Sequence, residues 1–206
     1  MILDDEQKNK FFGRVLELAQ EGWGRTHPNP MVGALIVERN QIVAEGYHHA
    51  CGEPHAEIEA LASLGRKPDP DATMFVSLEP CSTHGNTPPC TGAILRSGIK
   101  KVFVACTDPN PKHEGGGLDL LRNAGVEVEL APDSVRDEAE RMNFIFNHNM
   151  RTSGPLIALK LAESANGMVA ERMGQPSLVT GTEAREDVMR WRRHFPAICA
   201  GAGTVL

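Results

Sequence analysis

The chain has 206 residues, of which 41% are hydrophobic and 23% charged, as in a soluble globular protein and unlike a disordered or membrane-spanning chain. The net charge of −6 argues against general affinity for nucleic-acid backbones. The cysteine count of five is odd and the acidic, polar start resembles no secretory signal, so we expect a cytoplasmic protein with no disulfide framework and no membrane partner.

Strands and helices alternate along most of the chain, which predicts an α/β fold. Apolar residues at helical or alternating spacing mark the elements, and a short connection makes the first two strands a hairpin. The predicted elements are, in order, a helix at 6–20, strands at 32–37 and 41–47, a helix at 54–64, a strand at 73–78, a helix beginning near Cys90, a strand at 101–105, a helix at 118–123, a strand at 126–130 and a helix from Asp133 or Ser134, the candidate caps, towards Met150.

A polar, glycine- and proline-containing segment at 151–155 looks like a linker, so we expect one domain at 1–150 and a second segment at 151–206. In the second segment, the sequence predicts a strand at 156–161, a helix at about 182–193 and an apolar end. It is too short to build a full core. An unfinished sheet edge there would favour self-association, without defining symmetry or subunit number.

One histidine and two cysteines form a candidate zinc set. His55 is followed by Cys81 and, after eight intervening residues, by Cys90. Three protein ligands leave the fourth position open, as in catalytic rather than structural zinc sites. Glu57 lies two residues beyond the histidine and is the natural proton carrier for water activated by such a metal. The pattern is typical of a hydrolytic zinc deaminase.

Several motifs in fixed order resemble the deaminase domain of the bacterial bifunctional riboflavin-biosynthesis deaminase/reductase family. The eight residues between the cysteines match this family, whereas cytidine and adenosine deaminases typically have two. The resemblance implies a three-layer α/β/α cytidine-deaminase-like domain with a mixed sheet and one zinc ion per chain. The motifs are Pro28-Asn29-Pro30-Met31-Val32-Gly33, Gly46-Tyr47-His48-His49, Gly52-Glu53-Pro54-His55-Ala56-Glu57, Leu78-Glu79-Pro80-Cys81-Ser82, Thr87-Pro88-Pro89-Cys90 and Asp108-Pro109-Asn110-Pro111.

The same resemblance implies the substrate, a small phosphorylated molecule: diaminohydroxyphosphoribosylaminopyrimidine, whose ring amino group leaves as ammonia. It also implies that Asn29 and His48 contact the ring, and that Asp108 and Asn110 contact the ribose and phosphate. Asn86 stands where the family usually has a lysine or arginine. An amide there donates hydrogen bonds but supplies no positive charge to a phosphate.

The segment after residue 150 resembles the opening of the family's dihydrofolate-reductase-like reductase domain, through Leu159-Lys160-Leu161-Ala162 and the glycine-rich stretch at 200–206. Arg192 and Thr204 match positions that would face substrate and NADPH in a complete domain. Because only a fragment of that domain is present, we expect no reductase activity and no NADPH binding from this chain.

Other interpretations of these residues remain open beside a deaminase. Taken singly, each candidate ligand is explained as well by an ordinary buried thiol or a helix-capping histidine. A zinc-stabilised binding protein without activity, or a deaminase of another nucleobase or nucleoside, would also carry the metal set. The run at 115–117 of three glycines resembles a phosphate cradle, although a turn before a helix is the simpler interpretation.

Overall fold

A computed structural model describes residues 3–83, 88–110, 116–172, 174–175 and 177–205. The chain divides into two compact units, Met1–Pro155 and Leu156–Leu206. None of the helices in the described ranges combines the length and apolarity needed to cross a bilayer.

The first unit alternates strands and helices, as the sequence predicted. Its helices are α1 (Asp5–Gln20), α2 (Ala56–Leu64), α3 (Cys90–Ser97), α4 (Gly116–Asn123), α5 (Asp133–Met142) and α6 (Phe144–Arg151), and its strands are β1 (Gly33–Glu38), β2 (Gln41–Tyr47), β3 (Thr73–Leu78), β4 (Lys101–Cys106) and β5 (Glu127–Leu130). The second unit contains α7 (Thr182–Arg192) and α8 (Ala202–Val205).

The five strands form one mixed sheet in the order β2-β1-β3-β4-β5. The hairpin strand β1 pairs antiparallel with both β2 and β3, whereas β3, β4 and β5 are parallel. In the hairpin turn, Arg39 and Asn40 have positive φ angles of 50° and 62°. A two-residue turn with positive φ at both positions matches the right-handed twist of the strands that it joins. The predicted α/β class with a mixed sheet is confirmed.

Apolar residues cover both faces of the sheet, which makes the unit three-layered. On one face the core joins the strands to α2, α3 and α4 through residues such as Ala60, Ile94 and Leu121. On the other face α1 and α5 pack on the strands, and Phe12 meets Phe75 edge to face with ring centroids 5.2 Å apart. Burial of this apolar surface supplies the main driving force for folding.

The topology places the carboxyl ends of β3 and β4 side by side, since parallel strands end at the same edge of a sheet. Helix α2 lies close over β2 near this edge. A Cβ on Gly46 would lie 2.4 Å from the backbone nitrogen of Ala60, so only glycine permits this approach. The beginning of α2 is thereby held beside the strand ends.

Three local predictions were wrong. The helix expected from Asp133 or Ser134 towards Met150 is split at Asn143 into α5 and α6, and its N-cap is Pro132, with no side-chain cap. Asn143 bonds instead to a distant backbone segment. The strand expected at 156–161 does not form, because a strand needs a hydrogen-bonded neighbour and the described residues of the second unit contain no strand.

Candidate metal centre

Three side chains converge at the carboxyl end of β3. The Nδ1 atom of His55 lies 3.7 Å from the Sγ of Cys81 and 3.3 Å from the Sγ of Cys90, and all three ligand atoms lie within 4.8 Å of one another. Tetrahedral zinc with its usual bond lengths, about 2.3 Å to sulfur and about 2.0 Å to nitrogen, implies an N···S separation of about 3.6 Å. The donor set therefore fits one zinc ion, and the described residues contain no second cluster of this kind.

Local structure explains why these side chains face one another. His55 is the N-cap residue of α2, with extended backbone (φ −76°, ψ 159°) and no side-chain cap bond, so its ring is directed to the sulfurs. Cys90 is the first residue of α3. Its backbone N–H donates to the Sγ of Cys81 at 3.3 Å. A helix N-terminus favours a thiolate, so α3 stabilises the charge that a metal ligand must carry.

The two thiols differ in acidity. The hydrogen bond between the cysteines, together with that to His55, lowers the pKa of Cys81 to about 4 although burial opposes ionisation. The neighbouring sulfur and burial raise the pKa of Cys90. The pair therefore loses one proton readily, and metal binding requires loss of the second proton as well.

Glu57 occupies the first turn of α2 and is only 3% exposed. Burial raises the pKa of its carboxyl group to about 7, and the nearby Cys81 adds to the shift. A carboxyl group with such a pKa both accepts and donates a proton near neutral pH, which is what general acid–base catalysis requires.

Asn29 and His48 meet beside this cluster. The ring of His48 is buried, and its centroid lies 5.4 Å from that of His55. Its Nδ1 donates to the Pro54 carbonyl oxygen at 3.0 Å, so its Nε2 accepts from the Asn29 side-chain amide at 3.1 Å. Burial lowers the pKa of His48, which favours this neutral, ordered ring.

Asp108 and Asn110 follow β4 at the same edge of the sheet. Asp108 is 8% exposed, and its Oδ1 accepts the backbone N–H of Asn110 at 2.9 Å. This bond closes a tight turn of the kind that aspartate favours. The turn lies beside the strand end that leads to Cys81, because Leu78 of β3 pairs with Cys106 of β4.

The remaining candidate residues lie outside the described part of the first unit. Asn86 lies outside the described residues. Arg192 is exposed at the end of α7 in the second unit, and Thr204 lies in α8.

Two buried polar residues near the site were missed by sequence reasoning. Glu79 stands inside the Leu78-Glu79-Pro80-Cys81 motif, where an acidic residue directly after a buried strand was an available signal. The side chain of Asn143 bonds the backbone of Met31, 112 residues away. No local pattern marks such a contact.

Comparison with known families agrees with this geometry. Residues 5–106 match the family described as the cytidine and deoxycytidylate deaminase zinc-binding region. The chain is 44% identical over 200 residues to the riboflavin biosynthesis protein RibD of Escherichia coli K12, covering 97% of this chain and 54% of that protein. Against RibD of Bacillus amyloliquefaciens it is 43% identical over 195 residues, covering 95% and 52%.

Solved structures give the same result. The diaminohydroxyphosphoribosylaminopyrimidine deaminase/5-amino-6-(5-phosphoribosylamino)uracil reductase of Thermotoga maritima superimposes with a TM-score of 0.89 at 39% identity, covering 97% of this chain and 57% of that one. RibD of Acinetobacter baumannii gives 0.84 at 41% identity, covering 92% and 52%. The chain thus spans about half the length of the relatives it matches.

Proposed function

Because this chain belongs to the RibD family of riboflavin-biosynthesis proteins, we propose that it is a zinc-dependent hydrolase that deaminates diaminohydroxyphosphoribosylaminopyrimidine. The observation that carries the proposal is the convergence of His55, Cys81 and Cys90 beside the buried carboxyl group of Glu57. Water replaces the ring amino group, so that the amine-bearing carbon becomes a carbonyl and ammonia leaves.

His55, Cys81 and Cys90 would hold one zinc ion per chain through one nitrogen and two sulfur atoms. Zinc in such a three-ligand site supplies a Lewis acid with an open position, which lowers the pKa of water to about 7. The hydrogen bond from the Cys90 backbone N–H to the Cys81 sulfur keeps that ligand in place.

Glu57 moves the protons. Its carboxylate takes a proton from the attacking water and passes it to the ring nitrogen beside the amine-bearing carbon. It then takes the remaining proton from the hydroxyl group on that carbon and delivers it to the departing amine nitrogen, so that the carbonyl forms as ammonia leaves. Burial supports this role because it keeps bulk water from exchanging the proton before it is delivered.

Asn29 and His48 would orient the pyrimidine ring. The hydrogen bond from the Asn29 amide to His48 Nε2 directs the amide nitrogen towards the imidazole, and the Pro54 carbonyl fixes the ring of His48. Asp108 and Asn110 would contact the ribose and phosphate from the turn after β4. Asn86 would contribute a neutral hydrogen-bond donor to the phosphate.

A substrate panel tests the proposal. The purified chain, loaded with zinc, is incubated with the phosphorylated pyrimidine, with cytidine and with guanine, and ammonia is measured. We expect release from the phosphorylated pyrimidine alone. Equal or greater release from cytidine or guanine would assign the site to another deaminase branch, and zinc binding without ammonia release from any substrate would indicate a binding protein.

We propose no reductase role for the second unit. The prediction is tested by adding NADPH and the deaminated ribosylamino product to the chain. Oxidation of NADPH would contradict it.

A further inference from the structure

Glu79 is a buried carboxylate that binds three backbone N–H groups from two separate segments. Its Oε1 accepts from Gly117 at 2.9 Å and from Leu118 at 3.3 Å, and its Oε2 accepts from Asp108 at 3.2 Å. The residue is only 5% exposed. We propose that Glu79 is a positioning residue that sets affinity for the ribose-phosphate part of the substrate by holding the Asp108–Asn110 turn. This inference rests on the proposed function.

Glu79 stands where the ladder between β3 and β4 ends. Its backbone N–H donates to the Cys106 carbonyl at 2.9 Å, which is the last step of pairing beyond Leu78 and Cys106. Cys81 follows two residues later. The residue therefore has a rigid backbone position from which to hold less regular segments.

The first segment that it holds is the beginning of α4. The N–H groups of Gly117 and Leu118 belong to the first helical turn, which has no intrahelical acceptors, and a negatively charged group is favoured there. The Glu79 carboxylate fills that role from within the protein. The N–H group of Gly117, the last residue of the glycine run, is thus engaged by the protein itself, which argues against the phosphate cradle considered from sequence.

Close packing reinforces the contact. A Cβ on Gly117 would lie 2.0 Å from the Pro80 carbonyl oxygen and 3.2 Å from the Oε1 of Glu79. The start of α4 therefore rests directly on the backbone between Glu79 and Cys81. Only glycine permits this approach.

The second segment is the turn after β4. Glu79 accepts the Asp108 N–H, and the Asp108 side chain accepts the Asn110 N–H. Two consecutive hydrogen bonds thus connect the end of β3 to Asp108 and Asn110, the two residues expected to contact the ribose and phosphate. Loss of the first bond should loosen the turn while leaving the zinc ligands in place.

Glu79→Gln tests the role with little change of shape. A glutamine has one acceptor oxygen, and its NH₂ group cannot accept from a backbone N–H, so it cannot satisfy both segments. The single glutamine oxygen satisfies more donors on the α4 side, where Gly117 and Leu118 share one oxygen, so we expect faster hydrogen exchange at Asp108 and unchanged zinc content. We expect KM for the phosphorylated pyrimidine to rise about tenfold, as for one buried donor left without an acceptor, with kcat little changed.

Glu38→Gln is the matched control. Glu38 is also a buried carboxylate that accepts a backbone N–H, from Asp69 at 2.8 Å, but it lies at the opposite end of the sheet, beside the beginning of β3. A general effect of lost stability would alter both variants alike. We expect Glu38→Gln to keep the wild-type KM and the wild-type exchange at Asp108.

The outcomes separate this inference from the proposed function. If the wild-type protein releases no ammonia, the proposed function fails, and hydrogen exchange alone decides whether Glu79 holds the turn. If the wild-type protein is active and Glu79→Gln keeps its KM, the inference is overturned. Loss of zinc from Glu79→Gln would also overturn it, because Glu79 would then act through Cys81.

Discussion

The side-chain amide of Asn143 forms two hydrogen bonds with the backbone of Met31. The Met31 N–H donates to Oδ1 at 2.8 Å, and Nδ2 donates to the Met31 carbonyl at 2.9 Å. Both partners are buried. The junction between α5 and α6 thereby holds the segment that carries Asn29, two residues before Met31.

Asn143→Asp should destabilise the protein by about 1–3 kcal/mol, the usual cost of an unsatisfied buried hydrogen-bonding group. The substitution keeps the shape but turns the Nδ2 donor into an acceptor that faces the Met31 carbonyl. Denaturant unfolding measures the effect. Asn149→Asp, an exposed change in the adjoining helix α6, is the control, and equal stability of the two variants would contradict the importance of this contact.

Gly117→Ala should weaken zinc binding and destabilise the fold by about 1–3 kcal/mol, as overpacking usually does. The new Cβ would meet the Pro80 carbonyl at 2.0 Å, so the backbone leading to Cys81 must shift. Gly116→Ala is the control, since among the described residues its Cβ meets only the Ser82 hydroxyl, at 3.3 Å. Competition with a chelator measures zinc affinity. The close packing assigned to Gly117 would be wrong if both alanine variants bound zinc equally well.

Local pattern predicted most of the first unit because the relevant signals lie within one element. The bounds of β2 and β3 agree with prediction. Residue type and order singled out His55, Cys81 and Cys90, whose side chains the structure brings together. The break at Asn143 was not predictable, because its cause is a contact with Met31 far away in the chain.

The contacts of Glu79 were hidden for a similar reason. Its partners Asp108 and Gly117 lie 29 and 38 residues away, and only the pairing of β3 with β4 brings them together. The strand prediction at 156–161 was wrong for the opposite reason: the local signal was present and, among the described residues of the second unit, the distant partner was not. The apolar composition of this segment is suitable for a buried strand, but composition does not supply a neighbouring strand.

Glu57→Gln should retain zinc and lose turnover by about 10²–10⁴-fold, because an amide cannot carry the proton between water, ring and amine. Zinc content and ammonia release are measured on the same preparation. Glu59→Gln, two positions along the same helix, should keep both, since Glu59 is partly exposed and lies 3.9 Å from His49. Near-normal turnover in Glu57→Gln would remove Glu57 from the mechanism.

Glu38 predicts a specific acid sensitivity. The Arg66 guanidinium donates to both oxygens of Glu38, at 3.0 and 2.6 Å, and this contact lowers the pKa of the carboxyl group from 4.5 to about 2. A lowered folded-state pKa means that the stabilisation is fully present above pH 4.5 and is lost as the pH falls towards 2. Glu38→Gln should therefore cost about 1–3 kcal/mol at neutral pH and progressively less in acid.

The measurement is the free energy of unfolding across this pH range for the wild type and the variant. Glu127→Gln is the control, because the Glu127 side chain in its pair with Lys101 is 65% exposed and such pairs contribute little. A difference between wild type and Glu38→Gln that stays constant down to pH 2 would contradict the lowered pKa of Glu38.

Stepwise zinc reconstitution tests the central claim most directly. The protein is stripped of metal, zinc is added in substoichiometric steps, and bound zinc and ammonia release from the phosphorylated pyrimidine are determined on the same samples, with Cys81→Ala alongside. We expect ammonia release to rise in proportion to bound zinc, to level off at one ion per chain, and to be absent from Cys81→Ala, which should not retain the metal. Ammonia release that is independent of zinc, or a Cys81→Ala variant with wild-type zinc content and activity, would contradict the account.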